Sequence, residues 1–188
     1  MTYNPEIHHR RSIRLRDFDY SSSGAYFISI CTFGRECLFG EIVDGKMSVG
    51  DAGRIVESEW RRLSDRFPSV ELDAFVVMPN HVHAIIVVHA IIVVNASVGA
   101  IHELPLQNRN ARRNMVLPKA IGYFKMNAAK QINTLRETPG VPVWQRNYHE
   151  RIIRNEGELN GIREYIANNP LAWYDDEENP KGIPRQPL

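Results

Sequence analysis

The run Ala84-Ile85-Ile86-Val87-Val88 leaves this chain the fewest options. Five apolar residues in a row, four of them β-branched, have the composition of a buried strand, and such a strand needs partners beside it and a layer packed on it. Directly before it stands Met78-Pro79-Asn80-His81-Val82-His83. Side chains alternate along a strand, so His81 and His83 share one face while Val82 enters the opposite layer. Neutral imidazole is a common ligand for divalent metals, and a strand holds two ligands more accurately than a loop does. A bare His-x-His is more often a pair of half-buried histidines satisfied by backbone or water, so a metal reading needs support from the rest of the chain.

The elements around this strand follow from local chemistry. Ala25 to Phe33 reads as a strand of aromatic and branched residues. Leu38 to Val43 and Lys46 to Val49 flank Asp44-Gly45, a hairpin signal. Asp51 is placed to cap a helix reaching about Arg66, with Ile55, Val56, Trp60 and Leu63 as its apolar stripe. Glu71 to Met78 is a strand that turns at Pro79-Asn80 and pairs antiparallel with the histidine strand, which becomes central. Residues 95–117 read as a long polar loop. Pro118 opens a helix carrying Ile121, Phe124, Ala128 and Ile132 on one side, with Lys119, Lys125 and Lys130 exposed. Val143-Trp144-Gln145 is a candidate short strand. A last helix starts at the N-cap Asn155 and stops at Pro170. The sum is an α+β domain, helices packed on an antiparallel sheet.

With 188 residues, 43% of them hydrophobic and 24% charged, the chain is large enough to bury one core and needs no second domain. The expected division is a basic N-terminal arm at 1–23, a catalytic domain at 24–173 and an acidic, proline-containing tail at 174–188. The N-terminus lacks an apolar leader, and the longest apolar run, Ala84 to Val94, is broken by His89 and falls short of the ~20 residues of a membrane span. A cytoplasmic protein is expected. Cys31 and Cys37 form no Cys-x-x-Cys motif, which argues against a thiolate metal site.

The net charge of +1 conceals an asymmetry. Residues 106–155 hold ten basic side chains and two acidic ones. Arg112, Arg113, Lys119, Lys125, Arg146 and Arg151 are the candidates to meet phosphates, and Tyr123, Phe124 and Trp144 to stack on splayed bases.

On the last helix Tyr165 and Asn169 are four residues apart, so a phenol and a carboxamide lie one turn apart on one face. Tyr148, with His149 beside it as a base, is an alternative nucleophile that lacks such an amide partner.

Together these pieces resemble a family, the single-tyrosine HUH transposases, and within it the REP-associated tyrosine transposases and the enzymes of small insertion sequences. The resemblance runs from about Arg11 to Trp173 through Ala25-Tyr26-Phe27-Ile28-Ser29-Ile30, Met78-Pro79-Asn80-His81-Val82-His83, Leu117-Pro118-Lys119, Trp144-Gln145-Arg146-Asn147-Tyr148 and Arg163-Glu164-Tyr165-Ile166 with Asn169-Pro170. It implies a ferredoxin-like core with the histidines on a central strand and the tyrosine on an extra C-terminal helix. It further implies that His81, His83 and Asn169 hold a divalent ion, Mg²⁺ or Mn²⁺, that Tyr165 is the nucleophile, and that the substrate is single-stranded or hairpin DNA. Insertion-sequence members act as dimers and REP-associated ones can be monomeric, so both a homodimer and a monomer stay open. Two rival functions are a non-catalytic nucleic-acid-binding relative and a relaxase-like nicking enzyme.

One oddity lies outside the family pattern. His83-Ala84-Ile85-Ile86-Val87-Val88 is followed at once by His89-Ala90-Ile91-Ile92-Val93-Val94, a tandem repeat of six residues. Six residues along a strand span ~20 Å, which places His89 beyond reach of an ion held by His81 and His83.

Overall fold

The computed structural model describes residues 23–89, 115–176 and 178–180. Its sheet has four antiparallel strands in the order β4-β5-β1-β6, where β1 is Gly24–Cys31, β4 Val70–Val77, β5 His81–Val88 and β6 His149–Ile153. Helix α1 (Asp51–Arg66) joins β1 to β4, and α2 (Val116–Leu135) lies between β5 and β6 in sequence. Each of these paths carries the chain past a neighbour to a strand of the same direction, which gives the expected ferredoxin-like α+β arrangement. Two additions decorate it: the hairpin β2 (Gly40–Val43) and β3 (Lys46–Val49), and the C-terminal helix α3 (Glu156–Asn168). At the hairpin tip Asp44 and Gly45 both have positive φ, 50° and 71°, the backbone that an Asp-Gly turn demands.

Alternation along β1 and β5 divides the sheet into two chemical faces. Tyr26, Ile28 and Ile30 lie opposite Ile86, Ala84 and Val82, all buried, and with Trp60 of α1 and Ile121, Phe124, Ala128 and Ile132 of α2 they form the main core. The other face pairs Phe27 with Ile85, Ser29 with His83 and Cys31 with His81. Helix α3 covers part of it through Leu159, Ile162 and Ile166, packed on Ile85 and Ile153. The histidines therefore look toward α3 and away from the main core.

Several local expectations are corrected. The N-cap of α1 is Gly50, and Asp51 occupies the first turn, where it pairs with Arg54 at 2.5 Å. The fourth strand is His149–Ile153, whereas Val143-Trp144-Gln145 contributes a single bridge, Thr32 with Trp144. Strand β6 escapes a reading by composition because it is an edge strand with Glu150 and Arg151 in its middle, and its extension is imposed by pairing with β1. Phe124 and Trp144 are buried, so neither is free to stack on a base, and Tyr123 is half-buried against Phe67. Residues Ala90 to Val94 of the repeat, the N-terminal arm through residue 22 and most of the long loop lie outside the described residues.

Candidate active site

Strand β5 delivers His83 to the wall of a cleft of about 540 Å³ between the sheet and α3, with the fully buried ring of His81 beside it. Their ring centroids are 4.5 Å apart. Each ring is held from behind by an oxygen. The Oδ1 of Asn80 lies 2.9 Å from Nδ1 of His81, and the amide nitrogen of Asn80 donates to the carbonyls of Arg35 and Glu178 at 3.1 and 2.6 Å. Those two bonds fix which way the amide points, so its oxygen must accept from Nδ1–H, which leaves the lone pair of His81 on Nε2. The Oγ of Ser29, the cross-strand partner of His83, lies 2.5 Å from Nδ1 of that ring. Nε2 of His83 then faces the hydroxyl of Tyr165 at 3.2 Å.

Burial governs the protonation of both rings. It pushes His81 down to about 4, against the upward pull of the Asp176 carboxylate and the Asn169 amide. It pushes His83 down to about 2, helped by His81 and His149. Both are neutral at pH 7, the state in which imidazole binds a cation. Cys31, at the edge of the cleft, is driven up to about 12 by burial and by Glu178, so its thiol is inert as a nucleophile at neutral pH.

Helix α3 brings the remaining groups. Its start is fixed by Asn155, whose Oδ1 accepts from the Glu158 amide at 2.9 Å, as its sequence signal indicates. Tyr165 is 48% exposed, and its ring meets Phe27 edge-on and His83 at a tilt. Asn169 keeps helical angles (φ −57°, ψ −40°) although a proline follows, and it is 2% exposed. Beyond it the chain turns back: Trp173 packs 6.0 Å from the His81 ring, and Asp176 Oδ2 comes within 3.8 Å of His81 Nε2. Donor atoms of His81, His83 and Asp176 all lie within 4.8 Å of one another.

These residues could hold a metal ion. Among the described residues, Nε2 of His81 and Oδ1 of Asn169 are buried and have no partner at good hydrogen-bond geometry, a costly condition that a cation would relieve. Nitrogen and oxygen donors without thiolate suit a borderline or hard divalent ion.

The other sequence candidates divide. Tyr148 and His149 line the same cleft, in which the Tyr165 hydroxyl lies 3.2 Å from His83 Nε2. Lys119 and Arg146 are exposed, and Arg151 is exposed and paired with Glu158 at 2.5 Å. Lys125 is not a phosphate-facing residue. Its ammonium turns inward onto the carbonyls of Gln145, Arg146 and Asn147 at 2.7 to 3.3 Å, and burial lowers it to about 8. Arg112 and Arg113 lie outside the described residues. Sequence reasoning missed Asp176, Ser29 and the orienting role of Asn80. A signal for Asp176 existed in Trp173, a large apolar residue at the border of the expected tail; for Ser29 it was a polar side chain in an otherwise apolar strand.

No family model matches the chain. A protein of Haemophilus influenzae described only as uncharacterized is 40% identical over 180 residues, 93% of this chain and 96% of its own length. A second protein of that organism, named "Putative REP-associated tyrosine transposase", is 26% identical over 153 residues, 81% of this chain and 73% of its own length. The chain is thus similar in sequence to a protein named as a REP-associated tyrosine transposase. The solved structure of a REP-associated tyrosine transposase bound to a REP hairpin shares its fold, with a TM-score of 0.52 and 18% identity over 84% of this chain and 73% of that one. The sequence likeness supports a transposase role. No helix among the described residues is long and apolar enough to cross a membrane.

Proposed function

We propose that this chain is a metal-dependent transposase that cuts and rejoins single-stranded or hairpin DNA through a covalent 5′-phosphotyrosine on Tyr165. One observation carries the reading: the Tyr165 hydroxyl lies against His83 in a cleft lined by Asn169 and Asp176, and donor atoms of His81, His83 and Asp176 lie within 4.8 Å of one another. His81 and His83, with Asn169 and Asp176, would hold a divalent ion such as Mg²⁺ or Mn²⁺. When bound, the ion polarises the scissile phosphate and favours the phenolate, which matters for a nucleophile whose ordinary pKa is ~10.

The residues account for the steps. The phenol oxygen of Tyr165 attacks phosphorus, the bond to the 3′ oxygen breaks, and the departing strand takes up a proton to leave as a free 3′-hydroxyl. Another 3′-hydroxyl attacks the phosphotyrosine, restores the phenol and joins the strands, so no nucleotide cofactor is consumed. Asn80 and Ser29 hold the two imidazoles from behind, and Phe27 supports the Tyr165 ring. Exposed Lys119 and Arg146 are available to DNA phosphates, and exposed Phe33 and Tyr174 are available to stack on bases, in place of buried Phe124 and Trp144.

The test is incubation with labelled DNA and a divalent metal. An adduct that survives denaturing gels is expected with single strands and hairpins and not with plain duplex. Binding without adduct would make the chain a non-catalytic module, and equal reaction with duplex would remove the single-strand reading.

A further inference from the structure

Helix α3 rests on the sheet through a narrow stripe, Leu159, Ile162 and Ile166, of which only Ile166 is fully buried. At 100° per residue, Tyr165 flanks this stripe on one side and Arg163 on the other. A helix seated on so few apolar contacts has little to stop it rolling about its own axis. A tyrosine hydroxyl stands roughly 8 Å from that axis, so a roll of about 10° carries it about 1.4 Å. That displacement would break the contact with His83.

The flank opposite Tyr165 is pinned. Arg163 Nε and Nη2 reach the two oxygens of Asp73 at 2.9 and 2.5 Å, and Nη1 reaches Asn160 at 3.0 Å. Asp73 is aimed there by an irregularity in β4. Leu72 pairs with Ile86 and Phe75 with Ala84, so three steps on β4 match two on β5, and the extra residue falls at Asp73-Ala74. The aspartate is stiffened in turn, since its Oδ1 also accepts from the Ala74 amide at 2.6 Å. A regular strand would have given the ladder another ordinary pair and placed no carboxylate at this point.

We infer that the Asp73–Arg163 fork is a positioning device that sets the roll of α3 and so holds the Tyr165 hydroxyl on His83. The inference rests on the reading of Tyr165 as nucleophile for its importance, but not for its geometry. Asp73 and Arg163 touch no reacting atom; they act through the helix. Lysine in place of Arg163 keeps the charge and loses the fork, because an ammonium cannot make two parallel bonds to one carboxylate.

The experiment combines a spectroscopic and a kinetic reading of Asp73→Asn, Arg163→Lys and the double variant. In metal-free protein labelled with ¹⁵N-histidine, Tyr165→Phe shifts the His83 Nε2 resonance by removing its partner. Asp73→Asn and Arg163→Lys are expected to reproduce most of that shift, although both variants keep the Tyr165 side chain and both histidines on β5. Adduct formation at saturating DNA should fall about 10- to 100-fold in each single variant, with DNA affinity unchanged and the double variant no worse than either single one. An unmoved His83 resonance overturns the inference, as do losses that multiply in the double variant or that follow DNA affinity. If the resonance moves as expected but the adduct survives Tyr165→Phe, the fork still positions the ring and it is the nucleophile assignment that falls.

Discussion

The hydroxyl of Tyr165 lies 3.2 Å from Nε2 of His83, and in the tautomer whose Nδ1–H donates to Ser29 that nitrogen has one lone pair to give. It can accept the phenol's proton or bind a cation, but not both at once. Tyr165→Phe should therefore do two separable things. It should abolish the covalent adduct with DNA affinity nearly intact, and it should tighten metal binding several-fold, the equivalent of about 1 kcal/mol for a competing hydrogen bond removed. Calorimetry with Mn²⁺ reads the second effect without any DNA. An adduct that persists in Tyr165→Phe and disappears in Tyr148→Phe would transfer the role to Tyr148.

The metal set is tested by a graded series. His81→Ala and His83→Ala should each remove measurable Mn²⁺ binding, and excess EDTA should stop cleavage by the intact protein. Asn80→Ala keeps every donor and frees the His81 ring from its oxygen partner, so affinity should drop about 10- to 100-fold. Full affinity in Asn80→Ala would mean that burial alone orients the ring.

The acid limb of stability has a definite sign. His81 and His83 sit at about 4 and about 2 in the folded protein, below the ordinary 6.5. Below pH 6.5 the unfolded chain takes up protons that the folded chain refuses, so stability is full above that value and erodes as pH falls toward 4. The slope is on the order of 1 kcal/mol per pH unit for each histidine. Asp73, held low chiefly by its hydrogen bond from Arg163, adds a further loss only as pH falls below its ordinary 3.8. Denaturant midpoints measured from pH 8 to 4 would show this, and His83→Ala should flatten the curve; a wild-type midpoint constant between pH 7 and 5 would contradict it.

Deletion of His89 to Val94 should leave Mn²⁺ affinity and adduct formation within twofold of the parent. Strand β5 ends at Val88, paired with Val70, and His89 meets Glu71 at 2.8 Å on an exposed surface, at the end of the strand opposite His81. An exposed pair of this kind contributes up to about 1 kcal/mol. Loss of metal binding on deletion would show that the second copy serves the site after all.

What could be read before folding was whatever is encoded locally. The buried strand β5, the Asp-Gly hairpin, the Asn155 cap and the four-residue step from Tyr165 to Asn169 each depend on neighbours in sequence. Lys125 was misjudged because helical periodicity says which side of α2 it occupies and nothing about segment 145–147 passing beneath it. Asp176 was misjudged for the same reason at longer range. Only the return of the chain after Pro170, anchored by Trp173 and by the bond from Asn80 to the Glu178 carbonyl, turns an acidic tail into part of the cleft. Even the irregularity at Asp73 has no signature of its own; it becomes visible when β4 is laid against β5.

Strand β5 also places chemistry and packing under a single selective pressure. Ala84, fully buried in the main core, sits between His83 and Ile85, and its methyl group faces away from the cleft. A larger side chain there has nowhere to go except by moving the strand, and the strand carries both imidazoles. During neutral drift, substitutions in the hydrophobic interior would thus be filtered for their effect on two histidines they never touch, and a search for altered activity would find variants on the far side of the sheet as well as inside the cleft.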